Sequence, residues 1–313
     1  MEVVAGVLQL CNCGDVSSDD EAMSQAEQTL KRLGYEYREG CLKQVGSDEG
    51  FKFTNQRDYD DLAEAVLDYV GQLLESECGL QRVLMPEGAS EATGCPILIS
   101  PDLGKASKVL LFIQGSGRVR IGVWGCKLCI NNSLDEGTML PHIKQAQARG
   151  FGIVVLNPNH THGAGGRPIQ GSEQPDRHVG YIWKHVVEAK CAAKVPVYVI
   201  AHSMGGWATL NFLAVNDQAA AQIVAAVLTD SYHDAEEVQR LGSEGTRLLQ
   251  TRCINFVPDM SPVGTPVKAW ISLGHRFQST GKGCPCLAAN VDEHAATNFA
   301  SLGATFDYFD KMG

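Results

Sequence analysis

Residues 195–206 read Val-Pro-Val-Tyr-Val-Ile-Ala-His-Ser-Met-Gly-Gly, in which an apolar run leads directly into a serine between small residues. The pattern predicts a buried strand, a sharp turn at Ser203 and a helix that follows the turn. Small residues are needed at Ala201 and Gly205 because the strand and the helix approach each other closely there. A serine that caps a helix after a strand is the alternative interpretation of the same residues.

Further apolar runs alternate with helical patterns from Lys108 onward. The predicted strands are Val109–Gln114, Gly152–Leu156, Val195–Ala201, Ile223–Thr229 and Val267–Leu273. The predicted helices are Met139–Arg149, Arg177–Lys190, Gly205–Val215 and Asp234–Gln250, with a last helix at Phe299–Phe309. Continuous apolar strands separated by helices indicate a parallel sheet that is covered on both faces. The sequence therefore predicts an α/β protein with a doubly wound, mostly parallel sheet of the α/β-hydrolase type.

Two helices are predicted before this sheet. The first spans residues 17–32 and ends at Gly34, because glycine suits the left-handed position after a helix. The second covers Tyr59–Cys78, where apolar residues recur at helical spacing. Since no linker, repeat or low-complexity tract divides the chain, we expect a flexible or helical segment over residues 1–27 and one hydrolase-like domain over residues 28–313.

Composition restricts the class of protein and its partners. The 313 residues are 44% hydrophobic and 20% charged, which supports a buried core, and the net charge of -10 argues against strong direct binding of nucleic acid. No stretch reaches the roughly 18 apolar residues of a membrane span, and Glu2 stands where a signal peptide has positive charge. Eleven scattered cysteines favour a reducing compartment. We therefore expect a nuclear or cytoplasmic protein that is neither secreted nor bound to a membrane.

A serine nucleophile needs a base and an orienting acid, which follow it in this order in hydrolases of this type. Asp230 ends the predicted strand Ile223–Thr229, and His294 lies on a loop before the last helix. These two residues and Ser203 are the predicted catalytic residues. Asp230 as a helix cap is the alternative, and His275 is the reserve histidine. His233 lies only three residues from Asp230 and is expected to point elsewhere.

The oxyanion hole would use the backbone N–H of Met204 and a second N–H from the loop after an early strand. Gln114-Gly-Ser-Gly117 follows the first long apolar run and fits that loop, because glycines allow backbone N–H groups to turn inward. Either Ser116 or Gly117 is the expected donor. A simple tight turn describes the same residues equally well.

Arg120 and Trp124 are candidates for the pocket lining. Arg120 would hold a carboxylate or a phosphate there, and a buried ion pair with Asp135 or Glu136 is the alternative. Cys126 and Cys129 have the spacing of zinc ligands, and Cys284-Pro-Cys286 follows later, but a second Cys-x-x-Cys pair is missing. We expect neither a metal site nor another cofactor.

A series of longer motifs resembles the Argonaute-binding-protein-two (Arb2) domain family. The motifs are Leu33–Tyr37, Tyr69–Cys78, Gly115–Trp124, Cys129–Thr138, Pro141–Lys144, Val154–Asn159, His178–His185, Ala201–Gly206 and Thr229–His233. The likeness covers roughly residues 28–309, and its motifs occur in order along nearly the whole chain. Animal members are cotranscriptional regulators, the fission-yeast founder belongs to an Argonaute small-RNA chaperone complex, and a related domain ends some fungal histone deacetylases.

The resemblance implies the same three site residues, Ser203, Asp230 and His294. Three positions depart from the family pattern: Gln114 replaces a histidine, Met204 replaces an aromatic residue, and the short segment Gly163–Asp176 lacks the long basic insertion of animal members. Because a fold hosts catalysts and binding proteins alike, two functions remain. We expect a gene-silencing or cotranscriptional factor that binds protein partners such as Argonaute or a chromatin complex. The alternative is an active serine esterase or peptidase with a small acyl substrate.

Overall fold

The computed structural model describes residues 23–267 and 282–313, together with the backbone of two strands at 270–273 and 276–279. The strands are β1 (Tyr35–Arg38), β2 (Cys41–Gln44), β3 (Gln81–Met85), β4 (Cys95–Ile99), β5 (Val109–Ile113), β6 (Gly152–Val155), β7 (Val197–His202), β8 (Ile223–Thr229), β9 (Cys253–Val257), β10 (Trp270–Leu273), β11 (Arg276–Ser279) and β12 (Cys286–Ala288).

The helices cover both faces of the main sheet. They are α1 (Gln25–Arg32), α2 (Gln56–Ser76), α3 (Cys126–Asn131), α4 (Leu134–Gly137), α5 (Leu140–Ala148), α6 (Pro175–Ile182), α7 (Glu188–Lys190), α8 (Met204–Ala214), α9 (Asp217–Gln222), α10 (Ala235–Gln239), α11 (Ser243–Arg252), α12 (Thr297–Ala300) and α13 (Leu302–Met312). Within the described residues no helix is long and apolar enough to span a membrane.

The main sheet has eight strands in the order β12-β9-β8-β7-β5-β6-β4-β3. The six strands from β12 to β6 are parallel, whereas β4 pairs antiparallel with both β6 and β3. Every residue of β5 and β7 is buried, because an apolar core lies on each face of the sheet. The expected α/β-hydrolase fold is thereby confirmed, and the carboxyl ends of the parallel strands meet along one edge.

The two predicted N-terminal helices have clear local causes. Ser24 caps α1 in a capping box with Glu27, and Gly34 follows the helix with φ of 88°. The long helix α2 packs its apolar side into the same core as Leu110 and Phe112 of β5. The first helix is predicted from residue 17; residues 17–22 lie outside the described residues, and in the described part of the chain α1 begins only at Gln25, because Ser24 caps it.

One predicted strand takes a different place from the one expected. The run Val267–Leu273 is predicted to join the parallel sheet, but strand β10 within it pairs antiparallel with β11 in a separate hairpin. The sheet is extended instead by β9 and β12. Polar Asn255 interrupts the apolar run of β9, and β12 has only three residues, so neither strand has a clear sequence pattern.

Three predicted helices are interrupted, of which Phe299–Phe309 divides at Ser301 between α12 and α13. Arg177–Lys190 contains a π-helical turn at Trp183–Val187, and Asp234–Gln250 separates into α10 and α11. The break between α10 and α11 has a cause from another part of the chain, because the Asp217 carboxylate accepts the N–H groups of Glu244 and Gly245 at the start of α11. An outside carboxylate thus begins a new helix at this point.

Candidate functional site

Ser203 occupies the turn between β7 and α8. Its backbone has φ of 53° and ψ of -121°, a conformation that costs a non-glycine residue about 1–3 kcal/mol. Neighbouring backbone groups hold this conformation. Ser203 donates its N–H to the carbonyl of Thr229 at 3.0 Å, and its own carbonyl accepts the N–H of Tyr232 at 2.9 Å. The hydroxyl makes no capping bond to α8, which excludes the helix-cap interpretation and leaves the strained turn of a nucleophile elbow.

Glycines allow the close approach of the loops around this serine. A Cβ at Gly205 would lie against the carbonyl oxygens of Ile113 and Gln114 at the end of β5. A Cβ at Gly115 would lie 2.8 Å from the Cβ of Ser203. The absence of side chains at both positions therefore lets the loop after β5 contact the serine turn, as the small-residue pattern predicts.

Asp230 and His294 are brought together from loops that are far apart in the chain. Asp230 follows β8 with φ of 41°, and its Oδ2 lies 2.6 Å from Nδ1 of His294. An ionised carboxylate can only accept, so Nδ1 carries the proton and Nε2 is the free basic nitrogen. The side chains remain 31% and 50% exposed respectively, so the pair is open to solvent.

Among the described residues, no hydrogen bond joins the Ser203 hydroxyl to His294. The imidazole of His294 lies instead against the ring of His202, with centroids 4.4 Å apart. The catalytic assignment of the three residues therefore stays a prediction. Hydrogen bonds of catalytic groups often tighten only when a substrate is bound.

Of the other histidines, His233 is buried and engaged elsewhere, since its Nδ1 contacts the Ser231 hydroxyl at 2.7 Å and its Nε2 the carbonyl of Lys282 at 2.9 Å. It points away from Asp230, as expected. The reserve candidate His275 lies outside the described residues.

A buried chain of hydrogen bonds braces the loops that carry the candidate residues. The Nδ1 atom of His202 lies 2.9 Å from the carbonyl of Thr229, whose hydroxyl donates to Oδ1 of Asn298 at 2.6 Å. Asn298 then donates to the carbonyl of Ala295, next to His294. Burial, reinforced by the charge that His294 can carry, lowers the pKa of His202 to about 3. A neutral His202 thus connects the serine turn to the two other loops.

Trp124 lies in the core beneath this network. It is 2% exposed, packs edge-on against the rings of His142 and His202, and directs its indole N–H at Nδ1 of His142 over a long 3.5 Å. Since indole only donates, the Nε2 of His142 bears the proton and donates to the carbonyl of Asn298. Trp124 therefore contacts the candidate site only indirectly, through the rings of His142 and His202.

Arg120 is half-exposed, and the alternative of a buried ion pair needs correction. It pairs with Glu64 and, at 3.2 Å, with Asp68 on successive turns of α2, whereas the alternative named Asp135 or Glu136. The arginine lines a polar cavity of about 570 Å³ between the N-terminal helices and the sheet, and an adjoining one of about 190 Å³ that reaches Gly117. Glu64 and Asp68 each contact one terminal nitrogen of the guanidinium, and the binding of an anion by Arg120 stays a prediction.

The candidate oxyanion loop is held by residues that the sequence did not single out for this purpose. Asn159 donates its Nδ2 to the carbonyl of Gly115 at 2.6 Å. Because the peptide is planar and trans, the N–H of Ser116 points the opposite way from that carbonyl. Buried Gln114, which takes the place of the family's histidine, donates to Oδ1 of Asn157 at 3.1 Å. Asn157 and Asn159 follow strand β6 closely, and these polar residues were the sequence signal from which the contacts with the loop could have been found.

Ser116 and Gly117 are exposed, and Gly117 has φ of 105°. Met204 is the first residue of α8, where backbone N–H groups have no partner within the helix. Whether the N–H groups of Met204 and the loop converge on one oxygen stays a prediction.

Cysteines do not assemble a metal site in the part of the chain that the structure describes, where no group of three ligating side chains is placed to hold an ion. Cys126 and Cys129 are buried in the core at the start of α3, where the hydroxyl of Tyr37 donates to the Cys129 carbonyl at 2.9 Å. The described cysteines are free thiols.

Comparison with known proteins gives relatives along the whole chain. The human cotranscriptional regulator ARB2A is 28% identical over 97% of this chain and 85% of its own length. The FAM172 family protein homolog Y75B8A.31 of Caenorhabditis elegans is 38% identical over 59% of each chain. A histone deacetylase from Saccharomyces cerevisiae superposes on 80% of this chain and 98% of its own with a TM-score of 0.50, and at 11% identity this likeness concerns the fold.

The family model described as the Arb2 domain matches residues 26–167 and 163–263, which together contain the serine turn and Asp230. These matches cover most of the chain and confirm the resemblance carried by the motifs. The chain is a member of the Arb2 domain family.

Proposed function

We propose that this protein is a cotranscriptional regulator that acts in the nucleus as a protein-interaction scaffold in gene silencing. The observation that carries the proposal is the extent of the likeness to the human cotranscriptional regulator ARB2A, which covers 97% of this chain. Such coverage includes both the N-terminal helices and the hydrolase-like sheet, so the whole folded unit corresponds to the relative. Proteins of an Argonaute or chromatin complex are the proposed partners.

The charge and the bracing of the site support this role. A net charge of -10 favours contacts with proteins over direct contacts with phosphate backbones. The hydrogen bonds through His202, Thr229 and Asn298 connect the buried ends of β7 and β8 to α12 without needing a bond from Ser203 to His294. A scaffold requires such a fixed surface and no substrate chemistry.

Binding to purified Argonaute, measured by calorimetry, tests the scaffold. We expect saturable binding that Ser203→Ala leaves unchanged, since the serine hydroxyl makes no capping bond in the fold. Absence of saturable binding to both Argonaute and a purified chromatin-silencing complex would contradict the proposal.

A serine hydrolase is the second candidate, favoured by the 2.6 Å contact between Asp230 and His294 beside the strained Ser203. In this mechanism the Ser203 hydroxyl attacks the carbonyl carbon of a small acyl ester while Nε2 of His294 takes its proton. Asp230 holds the imidazole by Nδ1. The N–H of Met204, with that of Ser116 or Gly117, would stabilise the oxyanion before the protonated imidazole returns its proton to the leaving group.

A fluorophosphonate probe distinguishes the two functions. If the hydrolase is active, the wild-type protein becomes labelled and Ser203→Ala does not. Ser76→Ala, an exposed serine on α2, is the matched control and should label like the wild type. If the site serves only as part of a scaffold, the wild-type protein should remain unlabelled while partner binding persists.

A further inference from the structure

Three cysteines meet where the last two strands of the sheet begin, away from the serine turn. Cys253 opens β9, Cys286 opens β12, and Cys284 precedes Cys286 by two residues. The thiols of Cys253 and Cys286 both influence the pKa of Cys284, and the Cys286 thiol donates to the carbonyl of Cys284 over 3.9 Å. Asn255 directs its Nδ2 at the sulfur of Cys286 over 3.7 Å. No function discussed above uses these three thiols.

The register of the strands selects one pair among the three. Cys286 lies opposite Asn255, and Cys284 and Cys253 each precede this pair by two residues. The N–H of Asn255 donates to the carbonyl of Pro285 at 2.9 Å, which places the residue after Cys284 beside β9, and Cys284 packs against the apolar cluster that contains Cys253. Adjacent strands lie about 4.8 Å apart, within the range of about 4.4–6.8 Å that a disulfide allows between Cα atoms.

The alternative pair on a single strand fits less well. Cys284 and Cys286 are two residues apart in one segment, where an extended backbone would separate their Cα atoms by about 6.6 Å, close to the upper limit of that range. The exposure of the three residues also differs, since Cys284 is half-buried whereas Cys253 and Cys286 are 1% and 6% exposed. Cys284 is therefore the most exposed residue of the three.

We propose that Cys284 and Cys253 form a thiol modification site, which peroxide converts reversibly into a disulfide between strands β12 and β9. The Cys284 sulfur attacks hydrogen peroxide, so that an S–O bond forms, the O–O bond breaks and water leaves. The Cys253 sulfur then attacks the sulfenic acid, the S–S bond forms and a second water carries away the remaining oxygen and protons. Two thiols lose two electrons in total, and one peroxide accepts them.

The surroundings influence how quickly the site reacts. The neighbouring Cys253 thiol and burial raise the pKa of Cys284, while the Cys286 thiol and the ammonium of Lys282 oppose this increase. That ammonium is itself buried and donates to the carbonyl of Ser231 at 2.8 Å. Because the reactive thiolate is scarce, the site responds to sustained oxidation and not to brief exposure. The link would join β9 covalently to the strand that ends six residues before His294.

Peptide mapping of the full-length protein tests the proposal. The protein is treated with graded hydrogen peroxide, alkylated without reductant and digested with trypsin. Cleavage after Arg252 and Lys282 places Cys253 in one peptide and both Cys284 and Cys286 in another. We expect a disulfide-linked pair of these peptides that increases with peroxide and disappears after reduction.

Variants assign the bond within the second peptide. Cys286→Ser should retain the linked pair, whereas Cys284→Ser should lose the linked pair. Cys191→Ser, which replaces another half-buried thiol, is the matched control and should leave the linked pair unchanged. The proposal is overturned if Cys253 in the wild-type protein stays fully alkylated at every dose that oxidises Cys284, or if only a Cys284–Cys286 bond forms. Because the readout is a covalent link, it does not depend on either proposed function.

Discussion

The carboxylate of Asp230 and the imidazole of His294 are 64 residues apart in the chain and meet at 2.6 Å. The contact joins the end of β8 to the loop before α12, at the edge where the parallel strands end. The contact fixes the orientation of the His294 imidazole through Nδ1. If His294 is the base, the fold and not a bound substrate would orient it. The following predictions test this contact and the packing that supports it.

Asp230→Asn replaces the acceptor with a group that can also donate, which permits the wrong imidazole tautomer. If Ser203 is a nucleophile, we expect the rate of fluorophosphonate labelling to fall by about 10³–10⁴-fold. Asp234→Asn, which changes the cap of α10 outside the contact, serves as the control and should retain the rate. Equal labelling of Asp230→Asn and the wild type would show that the imidazole needs no orienting carboxylate.

Gly206→Ala tests the close approach of α8 to the loop after β8. A Cβ at this position collides with the side chain of Ser231, so we expect a loss of about 1–3 kcal/mol in the free energy of unfolding. Gly303 on α13 meets nothing within 4 Å, and Gly303→Ala should raise stability by up to about 1 kcal/mol. Urea unfolding measures both. Equal effects of the two substitutions would mean that the approach is looser than described.

His142 should make stability depend on pH. Burial lowers its pKa to about 4 from 6.5, so between these pH values the unfolded chain binds a proton at this histidine and the folded protein does not. Its contribution is present above about pH 6.5 and is lost as the pH falls towards 4, by up to about 1.4 kcal/mol per pH unit. Buried His178 and His202 act in the same direction.

The test for His142 is urea unfolding of the wild type and of His142→Gln between pH 7 and pH 5. Glutamine does not titrate, yet it can accept from Trp124 and donate to the carbonyl of Asn298. We expect a shallower dependence on pH in the variant. Parallel curves for the two proteins would refute the assignment of a neutral buried imidazole.

Arg120→Ala should have little effect on stability, because both ion pairs of this arginine lie on the surface. We expect a loss of at most about 1 kcal/mol, reduced further by added salt. Thermal unfolding at low and high salt measures it. A loss of several kcal/mol that salt does not reduce would indicate a buried role that its exposure does not suggest.

The sequence alone was sufficient for elements whose cause is local. The serine turn at Ser203 and strand β8 were predicted because continuous apolar runs, small residues and a following helix pattern lie within a dozen neighbouring positions. Gly34 marked the end of α1 for the same reason. The family resemblance added the order of motifs, and through it the fold.

Tertiary structure decided what depends on residues far apart in sequence. Strand β10 pairs with β11 and not with the main sheet, and a strand's apolar pattern does not specify its partner. Arg120 pairs with Glu64 and Asp68 because tertiary packing places helix α2 next to the segment that carries Arg120. The hydrogen bonds through Asn298, Thr229 and His202 likewise form only when α12, β8 and β7 meet. A hydrogen bond between side chains requires that the two groups be close in space, whatever their separation in the sequence.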